Sequence, residues 1–523
     1  MMHDARNSIR QARRLIDFYA SQAERAWLKR DGHAAAAWAS IAAEHAFGLH
    51  PGYFASPRLE RLLVQIAHTV PTVSPQDQWH VGSNGQRHIL HVLTTAYAVG
   101  GHARITERWA RSGATQGEVH SVILLNQGRQ PIPPWLGEAI ESTGGRLIDL
   151  REPNLIRRAA MLRAQWRNGV ACVIVTSHPY DVVPTLAFGI EHGAPVYVMN
   201  AADHVFWLGV SIADAVIDIR MSGQLCSQRR RGVRRSQFLP IPLVVASDKI
   251  DGATARQALG IPNEACVLLT VASAYKYRPM PPWNFMQAVG AVMERQPHTH
   301  IVAAGPRDQV EWQSLRTQFP DRVHLLGEVL DLQTLHTAAD IYLDSLPFAS
   351  LTATLEAGLS GLPIHLPWNR VAPLMSNGDP ALSDLPCYAE PKEYVQALAE
   401  LIDHPEQWSS IGQAIARRIR DLHVGVGWTT LAEAIIQGGG DHAIEVPAVS
   451  QAAEAADLEW VNFQSNVPFL TNLGVGLYGF KEYRRQLSRS GRMMSALRLL
   501  ISYPRYLSQP RRAARVAYEI MQG

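Results

Sequence analysis

Residues 338–364, AADIYLDSLPFASLTATLEAGLSGLPI, constrain the fold more than any other part of the chain. The stretch opens on the end of a helix. Ile341-Tyr342-Leu343-Asp344 follows as a short apolar run, which reads as a buried parallel strand. A loop with Pro347, Phe348, Ser350, Thr352 and Thr354 comes next. The pattern then predicts a helix through Leu355, Glu356, Ala357 and Leu359, stopped by Gly361, and Leu362-Pro363-Ile364 opens another strand. A strand, a hydroxyl-rich loop and a helix N-terminus make an anion site. The first N–H groups of the helix lack partners and its dipole favours negative charge. Glu356, about one turn into the helix, is within reach of a ribose hydroxyl beside such a phosphate. The expectation is a phosphate-bearing ligand, and a purely structural strand–helix unit is the alternative.

The rest of the chain has room for two to four domains. Hydrophobic residues at 47% and charged residues at 18% mark it as ordered rather than disordered. A net charge of +3 gives no reason to expect nucleic acid as a partner. Cys172, Cys226, Cys266 and Cys387 have no metal-ligand spacing, so they read as reduced thiols of a cytoplasmic protein. The arginine-rich N-terminus is no secretory signal, and no apolar run is long enough to span a bilayer.

In chain order, residues 1–75 read as an accessory helical region. Ile9, Ala12, Leu15, Ile16 and Tyr19 recur at helical spacing, and the alanine-rich 35–46 carries Trp38, Ile41 and His45 on one side. Its expected uses are acceptor binding or homo-oligomer formation. After a polar linker at 71–85, an α/β domain over 85–240 begins with the apolar strand 87–93 and the Gly100-Gly101-His102 loop. Strands at 120–125, 146–150, 171–176, 196–199 and 215–219 alternate with helices at 135–142 and 155–167, which argues for a parallel sheet covered on both faces. Sites in such sheets lie at the carboxyl ends of strands. Two of those ends run into histidines, His178 and His204, with Asp181 and Asp203 beside them. The basic run 228–235 reads as a solvated loop, with an acidic acceptor or anionic surface as the sharper alternative, and 238–242 as a rigid linker. A second α/β domain covers 243–435. The tail over 453–523 is basic and helical, with apolar and aromatic residues interleaved. It reads as helices packed on the body, the alternative being peripheral attachment to the inner face of a membrane.

The stretch at 338–364 resembles the donor-binding signature of GT-B glycosyltransferases, in its Asp, Pro-Phe, Ser/Thr run, Glu-Ala and Gly-Pro order. It is most similar to the O-GlcNAc-transferase-like group, also classed as glycosyl transferases group 1. A second match is Ala274-Tyr275-Lys276-Tyr277-Arg278-Pro279, directly after a strand and before Trp283, Asn284 and Phe285 at a helix start. The similarity is good over 268–366, loose over 87–267 and absent at both ends. It implies an α/β, GT-B architecture: two Rossmann-like domains facing each other across a cleft, with an N-terminal helical region and a helical C-terminal tail. In that group the residue matching Lys276 binds the diphosphate of a nucleotide sugar, and the Gly327 loop borders the base. Gly101 matches a first loop that faces donor and acceptor.

The chemistry implied is transfer of a sugar from a nucleotide-diphosphate sugar, UDP by base rate, to a protein, glycan or lipid-linked acceptor. Charge builds on the departing phosphate, so fixed cations and N–H dipoles there lower the barrier. Lys276 fits the cation role, Arg278 a second one, Ser350, Thr352, Thr354 and the helix N-terminus the donor role, and Glu356 the ribose role. The nucleotide sugar is a co-substrate, and no cofactor or metal is expected, because no Asp pair of the metal-holding kind stands in a suitable context. Inversion needs a base for the acceptor hydroxyl. His102, His178 and His204 are the candidates, His102 first, with Asp203 and Asp181 as orienting or acting carboxylates. Retaining enzymes of this fold often carry two glutamates eight apart, the second matching Glu356; Phe348 stands at the first position, which favours inversion. Two alternatives remain: a catalytically inactive GT-B scaffold, and a GT-B nucleotide-sugar epimerase.

Overall fold

The computed structural model describes residues 2–73, 85–98, 101–166, 169–245, 251–307, 309–367, 378–439, 441–465 and 486–502. It divides into two compact units. The first comprises Met1–Ile219, Gly223–Phe238 and Ala434–Gly523; the second comprises Arg220–Ser222 and Leu239–Glu433.

The first unit opens with three helices, α1 (Met2–Leu28), α2 (Gly32–Leu49) and α3 (Pro57–Ala67). Asp31 caps α2 by accepting the Ala34 N–H, and Ser56 caps α3, with Pro57 in its first turn. α2 is buried almost all round, from Ala35 to Ala46, rather than along the single Trp38–Ile41–His45 side expected from the sequence. These helices share one hydrophobic core with the sheet that follows. Tyr19, Trp38, Ile41 and Leu63 belong to the same buried cluster as Val92, Val173 and Val175. Glu60 pins α3 to the unit, its buried carboxylate accepting the N–H groups of Gly209, Val210 and Ser211.

The sheet consists of β1 (His88–Leu93), β2 (Val119–Leu124), β3 (Leu147–Asp149), β4 (Cys172–Thr176), β5 (Val196–Asn200), β6 (Ala215–Asp218) and β7 (Ser236–Phe238). Their order is β3-β2-β1-β4-β5-β6-β7, with every pairing parallel. Intervening helices are α4 (Gly101–Ala114), α5 (Pro134–Glu141), α6 (Leu155–Trp166), α7 (Val183–Phe188) and α8 (Met221–Arg230). Alternate strand residues face opposite sides, so Leu93, Val122 and Leu124 build a second cluster with Ala103, Ala110, Leu136 and Ile140 of α4 and α5. The sheet order reverses direction between β1 and β4.

The basic run departs from its solvated-loop reading. Gln228, Arg229 and Arg230 finish α8, and Arg231 is fully buried. Its guanidinium donates to the carbonyls of Asp203 (2.8 Å) and Val205 (2.6 Å) and lies about equally close to the Phe54 and Trp207 rings, at 5.0 and 4.8 Å. A charge without such partners would cost several kcal/mol to bury, of order 5. Arg230 pairs with Asp457 at 2.8 Å.

The second unit has α9 (Gly252–Ala258), β8 (Cys266–Val271), α10 (Phe285–Arg295), β9 (Thr299–Ala304), α11 (Val310–Gln318), β10 (Val323–Gly327), α12 (Gln333–Ala338), β11 (Ile341–Leu343), α13 (Leu351–Leu359), β12 (Ile364–Pro367), β13 (Cys387–Tyr388), α14 (Pro391–Asp403) and α15 (Trp408–His423). Strand order is β10-β9-β8-β11-β12-β13, again wholly parallel, and it reverses between β8 and β11. One face of this sheet buries Leu268, Ile301, Ile341 and Leu343 against Phe285, Val289, Trp312 and Leu398. On α13, Gly358 is the close-approach point. A Cβ there would stand 2.6 Å from the Cδ1 atoms of both Ile364 and Ile419, so glycine lets α13 lie near β12 and α15 without moving those side chains. The unit ends at Glu433 within α16 (Gly425–Gln437), whose last residues with α17 (Ala455–Ser465) and α18 (Arg489–Ser502) belong to the first one. Of the tail residues singled out in the sequence, Tyr503, Tyr506 and Leu507 lie outside the described residues.

Candidate active site

In doubly wound sheets ligands bind where the strand order reverses, beyond the carboxyl ends of the two strands concerned. Each unit brings some of its predicted groups to that position, Lys276 and the start of α13 in the second and His102 and His178 in the first.

In the second unit the loops after β8 and β11 meet. The 3-10 turn Ala274–Tyr277 follows β8, and Tyr277 is buried with its hydroxyl 2.9 Å from that of Thr270. This anchors the turn and carries Lys276 across to the other loop. The Lys276 ammonium donates to the Ala349 carbonyl (2.9 Å) and stands 4.9 Å from the centre of the Phe348 ring. Tyr275 packs edge-on against the same ring. Desolvation lowers the Lys276 pKa to about 8; the nearby Asp344 pulls it up and Arg220 pushes it further down.

Asp344 organises the β11 loop. Its buried carboxylate accepts the N–H groups of Ser345 and Ser350, both at 2.8 Å. The Ser345 hydroxyl donates to the Phe348 carbonyl at 2.7 Å. α13 therefore begins at Leu351, four residues before the Leu355 start expected from the sequence. Ser350 occupies the N-cap position and makes no side-chain cap bond. The first helical bond runs from the Thr354 N–H to the Ser350 carbonyl, which leaves the N–H groups of Leu351, Thr352 and Ala353 ahead of the ladder.

Of the hydroxyls expected to face a ligand, that of Thr352 is part-exposed and that of Thr354 is not. Thr352 and Glu356 are half-buried, and at i and i+4 they share one stripe of α13. Thr354 is fully buried and its hydroxyl donates back to the Ser350 carbonyl. Ser350 is buried. Arg278 turns toward α11, where its guanidinium comes within 3.9 Å of the Glu311 carboxylate. Gly327 closes β10, two strands from β8, with φ at +68°; its carbonyl accepts the Gly305 N–H (2.6 Å) and its own N–H donates to the Pro306 carbonyl (2.8 Å).

In the first unit the loops after β1 and β4 are tied through Thr94. Its hydroxyl donates to the Asp181 carboxylate (2.7 Å) and accepts the His178 N–H (2.8 Å). Asp181 also accepts the Val183 N–H at the start of α7, and burial raises its pKa against these hydrogen bonds. It thus holds the loops and does not touch an imidazole in the bonds just described. Gly101 and His102 open α4; Gly100 lies outside the described residues.

His102 Nε2 is 2.9 Å from the Thr95 carbonyl. A carbonyl can only accept, so Nε2 carries the proton and Nδ1 the lone pair. Burial lowers the His102 pKa, and the Thr95 carbonyl partly restores it. Tyr97 links the two histidines: its ring stacks on His178 with 6.1 Å between centres and meets His102 edge-on at 5.9 Å. His178 is pushed down to about 4 by burial and then by His102, and its Nδ1 is buried with no partner among the described residues. His204, beyond β5, lies 3.4 Å from Asp203 and edge-on to Trp460.

The sequence alone passes over Thr94, Tyr97 and Asp344 as site residues. For Asp344 a signal was present: a carboxylate at the end of a buried strand must find donors close by. Among the described residues no group of three His, Cys, Asp or Glu is placed to hold a metal ion.

No protein-family model matches this chain, and no curated protein matches it. Solved structures do. A glycosyltransferase from Rickettsia africae superposes with a TM-score of 0.50 at 12% identity, covering 68% of this chain and 100% of that one. An O-GlcNAc transferase mutant from Thermobaculum terrenum gives 0.48 at 14% identity, over 83% and 84% of the two chains. HepE from Anabaena, solved with UDP-glucose, gives 0.48 at 15% identity, over 67% and 99%. The fold is GT-B, with its two parallel, helix-flanked sheets of seven and six strands.

Proposed function

We propose that this chain is a glycosyltransferase using a nucleotide-diphosphate sugar. The observation that carries the reading is the Lys276 ammonium at the Ala349 carbonyl, one residue before the N-cap of α13 and between the two loops of the strand reversal. A cation and a row of free N–H groups at one point suit the diphosphate, which gains charge as it leaves. Glu356, one turn further along the same stripe as Thr352, suits a ribose hydroxyl. The nucleotide is proposed as UDP, which is also the ligand named for the Anabaena protein.

The acceptor, a protein, glycan or lipid-linked sugar, is placed by this reading at the β1 and β4 loops. His102 is the proposed base: a neutral imidazole with its lone pair on Nδ1 takes the acceptor proton as the hydroxyl attacks, in line with inversion. Lys276 and the helix N-terminus take the charge-stabilising role, so the reading needs no metal ion.

Calorimetry of the intact chain against UDP, GDP, dTDP, CMP and ADP tests the proposal, with Lys276→Ala as control. Saturable binding of one diphosphate that the variant loses supports it. A folded protein that binds none of them refutes the transferase and favours a GT-B scaffold. Binding without release of nucleoside diphosphate from any nucleotide sugar points the same way.

A further inference from the structure

α18 has two apolar sides. One is seated on the first unit. Ala496 and the preceding Leu487 belong to the core shared with α1 and α2, and the Ser495 hydroxyl lies 3.5 Å from that of Tyr19. A Cβ on Gly491 would stand 3.3 Å from the Trp38 ring. The other side has no cover among the described residues: Met493 is 62% exposed, Met494 38%, Leu497 60% and Ile501 54%. At about 100° per residue these four fall within an arc of about 100°, with Arg489 on one edge and Arg498 on the other. Single exposed apolar residues are ordinary on a protein surface, but a continuous stripe marks a contact face.

Charge selects the occupant. From Tyr483 to Tyr518 the sequence holds nine arginines and no Asp or Glu. A second copy of the chain docking here by two-fold symmetry would set arginine against arginine. An anionic bilayer suits both features: the apolar stripe enters the headgroup boundary, the exposed Arg489 beside it suits a lipid phosphate, and the surrounding sequence is of one charge sign. We propose that the outward face of α18 is a seat for an anionic phospholipid bilayer. The proposal does not depend on the transferase reading, since α18 contributes nothing to either strand-reversal site.

The test is vesicle co-sedimentation of the intact chain, with vesicles of phosphatidylcholine alone and of phosphatidylcholine mixed with phosphatidylglycerol. The wild type is compared with Leu497→Ser/Ile501→Ser and with Arg489→Gln. All three positions are exposed, so thermal unfolding of the variants should match the wild type. The expected result is binding at least about tenfold stronger on anionic vesicles, reduced by salt, and weakened about tenfold by the double serine variant. Equal binding to both vesicle types overturns the proposal, as does wild-type binding by the double variant. Concentration-dependent self-association without vesicle binding, removed by the double variant, also overturns it and identifies a second copy as the occupant.

Discussion

The two sheets reverse their strand order in the same way, yet the loops at the two reversals are held together by opposite chemistry. At β1 and β4 the tie holds no cation: a threonine hydroxyl joins a buried carboxylate to a backbone N–H, and burial lowers the pKa of both imidazoles beside it. At β8 and β11 the tie includes a cation: a lysine ammonium reaches a carbonyl while a buried aspartate gathers two N–H groups. A neutral imidazole suits proton acceptance, and an ammonium at a helix start suits an anion. The same topology thus offers a basic nitrogen in one unit and a fixed charge in the other.

The comparison is broken most severely at His102. His102→Gln keeps a donor for the Thr95 carbonyl but removes the basic nitrogen. Turnover of the nucleotide sugar, followed as acceptor-dependent release of nucleoside diphosphate, should fall about 10²–10⁴-fold with donor affinity unchanged. His178→Gln should cost far less. If the two variants lose activity equally, the base is not assigned to His102 alone.

Lys276→Ala should come next, weakening the diphosphate by about a hundredfold, while the sheet itself remains folded. Isothermal calorimetry measures this directly. Retention of wild-type affinity would remove the second unit's cation from the site. A smaller effect is expected in the tie at β1 and β4. Thr94→Val leaves the buried Asp181 carboxylate and the His178 N–H each short of a partner, which should cost about 1–3 kcal/mol of stability in urea unfolding. Loss well below that range would mean that water replaces the hydroxyl.

Much of this was legible in the sequence because apolar runs and punctuating Gly and Pro mark strands and turns locally. Strands β1, β4 and β5, the Lys276 loop and the helix carrying Glu356 all follow from such patterns. What escaped depends on partners distant along the chain. Arg231 looks solvated within a run of arginines, and only Phe54, Trp207 and two carbonyls explain its burial. The three-residue β7, with Ser236 and Gln237, has too little apolar pattern to be seen, yet it pairs with β6 at the sheet edge. Thr352 and Thr354 read as loop because threonine disfavours helix interiors. In α13 Thr354 instead returns its hydroxyl to the Ser350 carbonyl, a bond that helices tolerate. The burial of α2 was partly legible, since an alanine-rich helix without a charged face is seldom a surface helix.

The mildest prediction sharpens the contrast between the two ties by pH. Lys276 titrates near 8 in the folded protein, well below an ordinary lysine, because desolvation outweighs its attraction to Asp344. The ammonium is present below that value and lost above it. Above about pH 7, where the terminal phosphate is ionised, diphosphate affinity should therefore fall as pH rises through 8, by about tenfold for each unit beyond the lysine pKa. A bound diphosphate favours the ammonium and moves the fall to higher pH, so the free protein sets its onset. In Lys276→Arg the guanidinium stays charged across the whole range, and the same calorimetric series should be flat. His178 predicts no counterpart in this window, because burial has already moved it down to about 4. A pH dependence that survives Lys276→Arg would assign the titrating group elsewhere and separate the anion site from this lysine.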